Sequence, residues 1–183
     1  MRPSLASRDP LVGKEAQAVF SNDNFRVYTN PDVIGVELAG SLKNVVAIAA
    51  GVLEGMGYGY NTMAALLTRG LAEMARLGLA MGGSLQTFSG LAGMGDLVLT
   101  CTGGLSRNRT LGARLGKGEN LDDILKSTKT VAEGVKTAKA ARALANKFGV
   151  DMPIVEEVYQ LLYEGKDPKR AVKDLMNREL KGE

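Results

Sequence analysis

From Val33 to Leu53 the chain runs through its longest apolar stretch, interrupted by Glu37, Lys43 and Asn44. A segment of that kind becomes either a membrane span or the central helix of a packed body. Ionisable side chains inside it disfavour the bilayer, so a core helix is expected and no membrane span. Its middle, ELAGSLKNVVAIAAG, is built from small residues with one lysine among them. Positions three and four residues apart share a helix face. For Lys43 these are Ala39, Gly40, Val46 and Ala47, and none is a carboxylate. The helix gives this ammonium space but no ion-pair partner. Either the lysine reaches water along apolar surface, or a group from elsewhere in the fold meets it and it serves as a general acid or base.

Composition narrows what the rest can be. In a chain of 183 residues, 45% are apolar, enough for one packed core or slightly more. A net charge of +3 is too small to argue for nucleic acid or an anionic membrane as partner. Cys101 is the single cysteine, so no internal disulfide forms and a reducing, cytoplasmic setting is expected. There is no histidine, which excludes histidine metal ligands, histidine bases and Ser-His-Asp devices. No metal is expected. MRPSLASRDP carries charge where a signal peptide needs an apolar core.

Two regions differ in style. Residues 1–30 read as a scrap of α/β structure: helix-like DPLVGKEAQAVF, a turn at SNDN, then β-favouring FRVYT. Residues 31–183 read as helical throughout, giving an all-α body in an irregular multi-helix bundle. After the first long helix, GMGYGY stops the chain and Asn61 is expected to cap the next helix, with Leu66, Leu67, Leu71, Met74 and Ala75 on its apolar stripe. Ser84 is expected to cap a short helix through Leu91, and another opens near Asp96. Ser106 and Asn120 cap two more. Glu133–Phe148 closes at Gly149, Pro153 starts a helix closed by Gly165, and Asp167-Pro168 starts the last.

A dinucleotide-binding G-x-G-x-x-G is absent: GMGYGY and GMGDLV have the first two glycines but not the third at the right spacing, and they follow no strand. No Walker A sequence occurs either. In GLAGMGDLVLTC, Asp96 suits the first turn of a helix through the helix dipole alone. Thr100, four residues on, shares its face, and the two can present a carboxylate and a hydroxyl to a polyol. In LSRNR, Ser106 at a cap leaves helix N–H groups for an anion, Arg107 adds a planar fork for phosphate, and Asn108 adds donors. Without interleaved aromatics, a solvated basic turn competes with that reading and a nucleic-acid patch does not.

Taken in order, GVELAGSLKNVVAIAAG, NTMAALLTRGLAEMARLG and GLAGMGDLVLTCTGGLSRNR closely resemble the bacterial-type NAD(P)-dependent sn-glycerol-3-phosphate dehydrogenases, and TVAEGVKTAKAARALANKFGVDMPIVEEVYQLLYEG continues the likeness. The resemblance implies the C-terminal, substrate-binding domain of such an enzyme, with a bundle like the C-terminal domain of 6-phosphogluconate dehydrogenase. It implies that Lys43 exchanges a proton with the reacting oxygen. It implies that Asn44 is an active-site asparagine, that Asp96 and Thr100 stand around the substrate hydroxyls, and that Ser106, Arg107 and Asn108 form the phosphate end. It implies that Arg107, Val131 and Glu133 touch the nicotinamide cofactor, NADH or NADPH. The implied reaction interconverts dihydroxyacetone phosphate and sn-glycerol 3-phosphate, a phospholipid precursor, and the implied assembly is a homodimer.

In the resembled family a Rossmann domain precedes this region. Residues 1–30 correspond at most to its last helix and strand, so a chain of this extent is expected to bind no cofactor and to have little activity by itself. FRVYT is then an orphaned strand, expected to pair with a second copy or to fray. A non-catalytic helical module that binds phosphate or dimerises is the alternative.

Overall fold

The computed structural model describes residues 3–127 and 132–179. The chain starts with strand β1 (Ser4–Ala6), helix α1 (Pro10–Phe20) and strand β2 (Tyr28–Asn30). From Val33 onward the described residues are helices and their connections. The all-α reading with a small N-terminal α/β piece is therefore correct.

The strand expected as an orphan is not one. β2 pairs in parallel with β1, Ser4 opposite Tyr28 and Ala6 opposite Asn30, and α1 forms the crossover between them. The segment Ser4–Ala6 has no strand pattern of its own, and its pairing comes from the register that β2 offers. β2 is also shorter than FRVYT: its three residues begin only at Tyr28. The Ser21 hydroxyl accepts from the Val27 amide, holding that residue in the preceding loop.

Helix α2 (Val33–Gly55) is the hub of the body. At 23 residues it has the length and apolar character of a membrane span. Every position from Val45 to Leu53 is instead buried by neighbouring helices, which is what an all-round apolar helix requires in a globular body. The Asp32 carboxylate caps its start, accepting from Gly35 N at 2.8 Å and from Ser84 N at 2.8 Å. Ser84 stands where a cap was expected, but its side chain caps nothing. Helix α3 (Tyr60–Ala80) starts one residue before the expected cap Asn61, because the Gly59 carbonyl already accepts the Met63 amide. Asn61 thus lies inside the helix.

Helix α4 (Leu85–Ser89) stops before the expected Leu91. Leu91–Gly95 then forms a wider π-type turn, with Gly95 N donating to Gly90 O at 3.1 Å. Helix α5 (Asp96–Thr102) follows directly, then α6 (Arg107–Gly116). α2 and α6 run in parallel and almost touch. A Cβ on Gly51 would lie 2.0 Å from Arg109 O, and one on Gly112 would lie 2.0 Å from Ile48 O. Gly55 and Gly116 meet the opposite backbone in the same way. Small residues let helix backbones approach this closely.

Helices α7 (Leu121–Ser127), α8 (Glu133–Phe148), α9 (Pro153–Tyr163) and α10 (Pro168–Met176) complete the body. Gly149 ends α8 at φ 65°, and the Asp167 carboxylate caps α10 through Lys169 N and Arg170 N. α9 has no cap of its own. Buried Glu73 reaches across from α3 and accepts from Ile154 N at 2.8 Å and Val155 N at 3.3 Å. Burial pushes its pKa up to about 7.

Candidate functional site

The partner that Lys43 lacks on its own helix comes from α5. Its ammonium forms an ion pair with Oδ2 of Asp96, and the two side chains are 20% and 34% exposed. The pair is shielded yet open to a small molecule. The π-type turn ends at Gly95, and Asp96 is the first residue of α5. Thr100 shares its face: its hydroxyl donates to the Asp96 carbonyl at 2.6 Å and lies 3.4 Å from Oδ1. The Thr100 oxygen keeps acceptor capacity for a substrate hydroxyl.

Asn44 turns to the adjacent flank of α2. Its Oδ1 accepts from Nδ2 of Asn108 at 3.0 Å, and its own amide donates to Gly40 O at 3.4 Å. Asn108 is only 7% exposed. Its Oδ1 accepts from Gly134 N at 3.0 Å, so one side chain ties α2, α6 and the first turn of α8. The close approach of α8 is required here, since a Cβ on Gly134 would lie 2.7 Å from that Oδ1.

Ser106 is the N-cap of α6, accepting from Arg109 N at 3.3 Å. Arg107, the first residue of α6, is exposed, and its guanidinium has no partner among the described residues. It precedes Asn108 on the same turn and is free to take an anion. Glu133 is exposed at the start of α8, next to the Gly134 amide held by Asn108. Val131 lies outside the described residues.

The structure thus makes two groups of contacts, Lys43–Asp96–Thr100 and Asn44–Asn108–Gly134, which meet only where Lys43 and Asn44 adjoin on α2, with Ser106 and Arg107 on the turn that carries Asn108. Asn108 is tied into the fold through both ends of its amide, and these bonds use one of its two Nδ2 hydrogens. Two clefts of about 390 and 420 Å³ lie elsewhere, between α8, α9 and α10 and beside Glu73, and none of these residues lines them. Cys101 lies on the buried face of α5 and its thiol is pushed up to about 12 by burial, which leaves it inert.

Sequence reasoning missed Arg109 and Glu54. Arg109 pairs with Glu54 at 2.6 Å, and nothing in the spacing of LSRNR distinguishes its second arginine from a solvated one.

The chain is similar to known proteins over nearly its whole length. Residues 32–173 match the family described as NAD-dependent glycerol-3-phosphate dehydrogenase C-terminus. The glycerol-3-phosphate dehydrogenase [NAD(P)+] of Geobacter sulfurreducens is 61% identical over 178 residues, covering 97% of this chain and 53% of that protein. The enzyme of the same name from Solidesulfovibrio magneticus is 61% identical over 180 residues, covering 98% and 54%. The crystal structure of glycerol-3-phosphate dehydrogenase from Coxiella burnetii superposes with a TM-score of 0.92 at 44% identity, covering 96% of this chain and 54% of that one. The chain spans about half the length of the curated relatives it matches.

Proposed function

The chain belongs to the NAD-dependent glycerol-3-phosphate dehydrogenase C-terminus family, and from that premise we propose that it supplies the substrate-binding and acid–base half of a dehydrogenase acting on dihydroxyacetone phosphate and sn-glycerol 3-phosphate. The observation that carries the reading is the Lys43–Asp96 ion pair across α2 and α5, one residue along α2 from the Asn44–Asn108 bridge to the α6 turn that bears Arg107.

In this reading the nicotinamide cofactor supplies the hydride. Lys43 gives a proton to the ketone oxygen as the carbon is reduced, and takes it back in the reverse direction. The neutral amine recovers its proton from water. Asp96 holds the ammonium in place and, with Thr100, receives the substrate hydroxyls. Arg107 and the cap of α6 hold the phosphate, and binding at that remote end orients the carbonyl against Lys43.

The described residues offer the cofactor only a flank. Arg107 and Glu133 are exposed beside the site, and Val131 joins them in the proposal. The β1–α1 turn does not suit a pyrophosphate. Asp9 caps α1, accepting from Leu11 N at 2.8 Å, and places a carboxylate where an anion would have to sit. A homodimer in a reducing cytoplasm completes the proposal. Apolar Leu11, Val12, Val19 and Phe20 exposed on α1 support association, and the lone buried thiol supports the compartment. Light scattering that finds a monomer at tens of micromolar would remove the homodimer.

The test is kinetic. The 183-residue chain is assayed with dihydroxyacetone phosphate and NADH or NADPH, alone and joined to the upstream half of the Geobacter relative. Turnover is expected only in the joined protein. Lys43→Ala should lower its kcat by about a hundredfold to ten-thousandfold with folding intact. Phosphate binding without turnover in any joined form would favour the non-catalytic module.

A further inference from the structure

We propose that Arg109 is a positioning residue that sets the distance between the two ends of this site. The proposal rests on the reading above. The acid–base end is on α5, with Asp96 and Thr100, and the phosphate end opens α6, with Ser106 and Arg107. Only Gly103–Ser106 joins them, and the middle of that loop is open. A side chain on Gly104 would meet nothing within 4 Å, and Leu105 is 99% exposed.

Arg109 supplies the missing support. Its Nε donates to Gly103 O at 3.2 Å, at the end of α5. Its Nη1 donates to Glu54 Oε2 at 2.6 Å, near the end of α2. Its amide donates to the Ser106 hydroxyl at 3.3 Å, at the start of α6. Its carbonyl is pressed against Gly51. Gly103 O also accepts Ser106 N at 3.4 Å, which closes the loop into a tight turn. One residue therefore clasps three helices at the point where the half-sites meet. The Arg109 side chain is 19% exposed and itself faces away from bulk solvent.

A planar fork is needed for this. Its Nε and Nη1 reach two acceptors in different directions, and a lysine offers only a point charge. Arg109→Lys should keep the Glu54 pair and lose Gly103. Glu54→Gln, at a half-exposed position, should loosen the other arm without disturbing the packing of α6.

Both variants are made in the protein joined to the upstream half of the Geobacter relative. The expected result is a KM for dihydroxyacetone phosphate raised about tenfold in Arg109→Lys, and less in Glu54→Gln, with kcat within about threefold. Turnover of phosphate-free dihydroxyacetone should not change, because only the phosphate end has moved. In the 183-residue chain alone, the amides of residues 103–106 should exchange hydrogen faster in Arg109→Lys, while those of α8 and α9 do not. Wild-type KM in Arg109→Lys, or equal losses on both substrates, would overturn the proposal while leaving the enzyme reading in place. An inactive wild-type joined protein would overturn both.

Discussion

Glu73 carries the clearest consequence of any single side chain outside the site. It is 2% exposed, and burial raises its pKa from 4.5 to about 7 against the pull of the Ile154 and Val155 amides and of Arg76, with Asp151 adding to the rise. Between those two values the folded protein keeps a proton that the unfolded chain has released. The stability this group contributes is therefore full below about pH 4.5 and is lost as pH rises through about 7. Thermal unfolding from pH 5 to 8 should show this fall, on the order of 3 kcal/mol at the limit, and Glu73→Gln should flatten it. A Glu73→Gln profile parallel to wild type would show that another group is responsible. Asn108 makes a second case. Asn108→Ala strands the buried Gly134 amide and frees Asn44, which should cost about 1–3 kcal/mol. For a chain of this size that lowers Tm by a few degrees per kcal/mol, a shift calorimetry can measure. The dipole of its own helix also explained Asp96, whereas Lys43 was legible as a candidate because a lone charge among glycines and alanines stands out. Glu73 and Arg109 were not, since each is defined by acceptors or donors that only the fold brings near: Glu73 meets Ile154, 81 residues on.

Among the elements, the α2–α6 seam fixes where the site lies. The contacts Asn44–Asn108, Ile48–Gly112 and Val52–Gly116 run in step along the two helices. Gly51→Ala and Gly112→Ala would each drive a methyl into backbone that cannot step aside, costing at least about 1–3 kcal/mol. Gly40→Ala, on the same helix with nothing within 4 Å, should instead stabilise by about 0.5–1 kcal/mol. Denaturant midpoints of the three variants decide between the packing account and simple helix propensity, which predicts gains throughout. Helix existence was readable from caps and period, as at Ser106, Gly149 and Asp167. The starts of α3 and β1 were not, because a backbone carbonyl at Gly59 and a neighbouring strand outrank the local side-chain signal.

For the molecule as a whole, the arrangement is a hub helix with the proposed site residues beside it and an α/β piece at the N-terminal end. The fold class was written in the sequence by the helical period after Pro31. The grouping of the site residues was reachable only through the family resemblance, because α2, α5, α6 and α8 contribute one or two side chains each. The whole body also holds a counting constraint. Leu91–Gly95 houses a residue more than ordinary helical spacing needs. Deleting Met94 would close the wide turn to ordinary helical spacing, and the proposed pairing of Asp96 with Lys43 would then have to be met by a shorter lead-in from Gly90, although every ionisable side chain was still present.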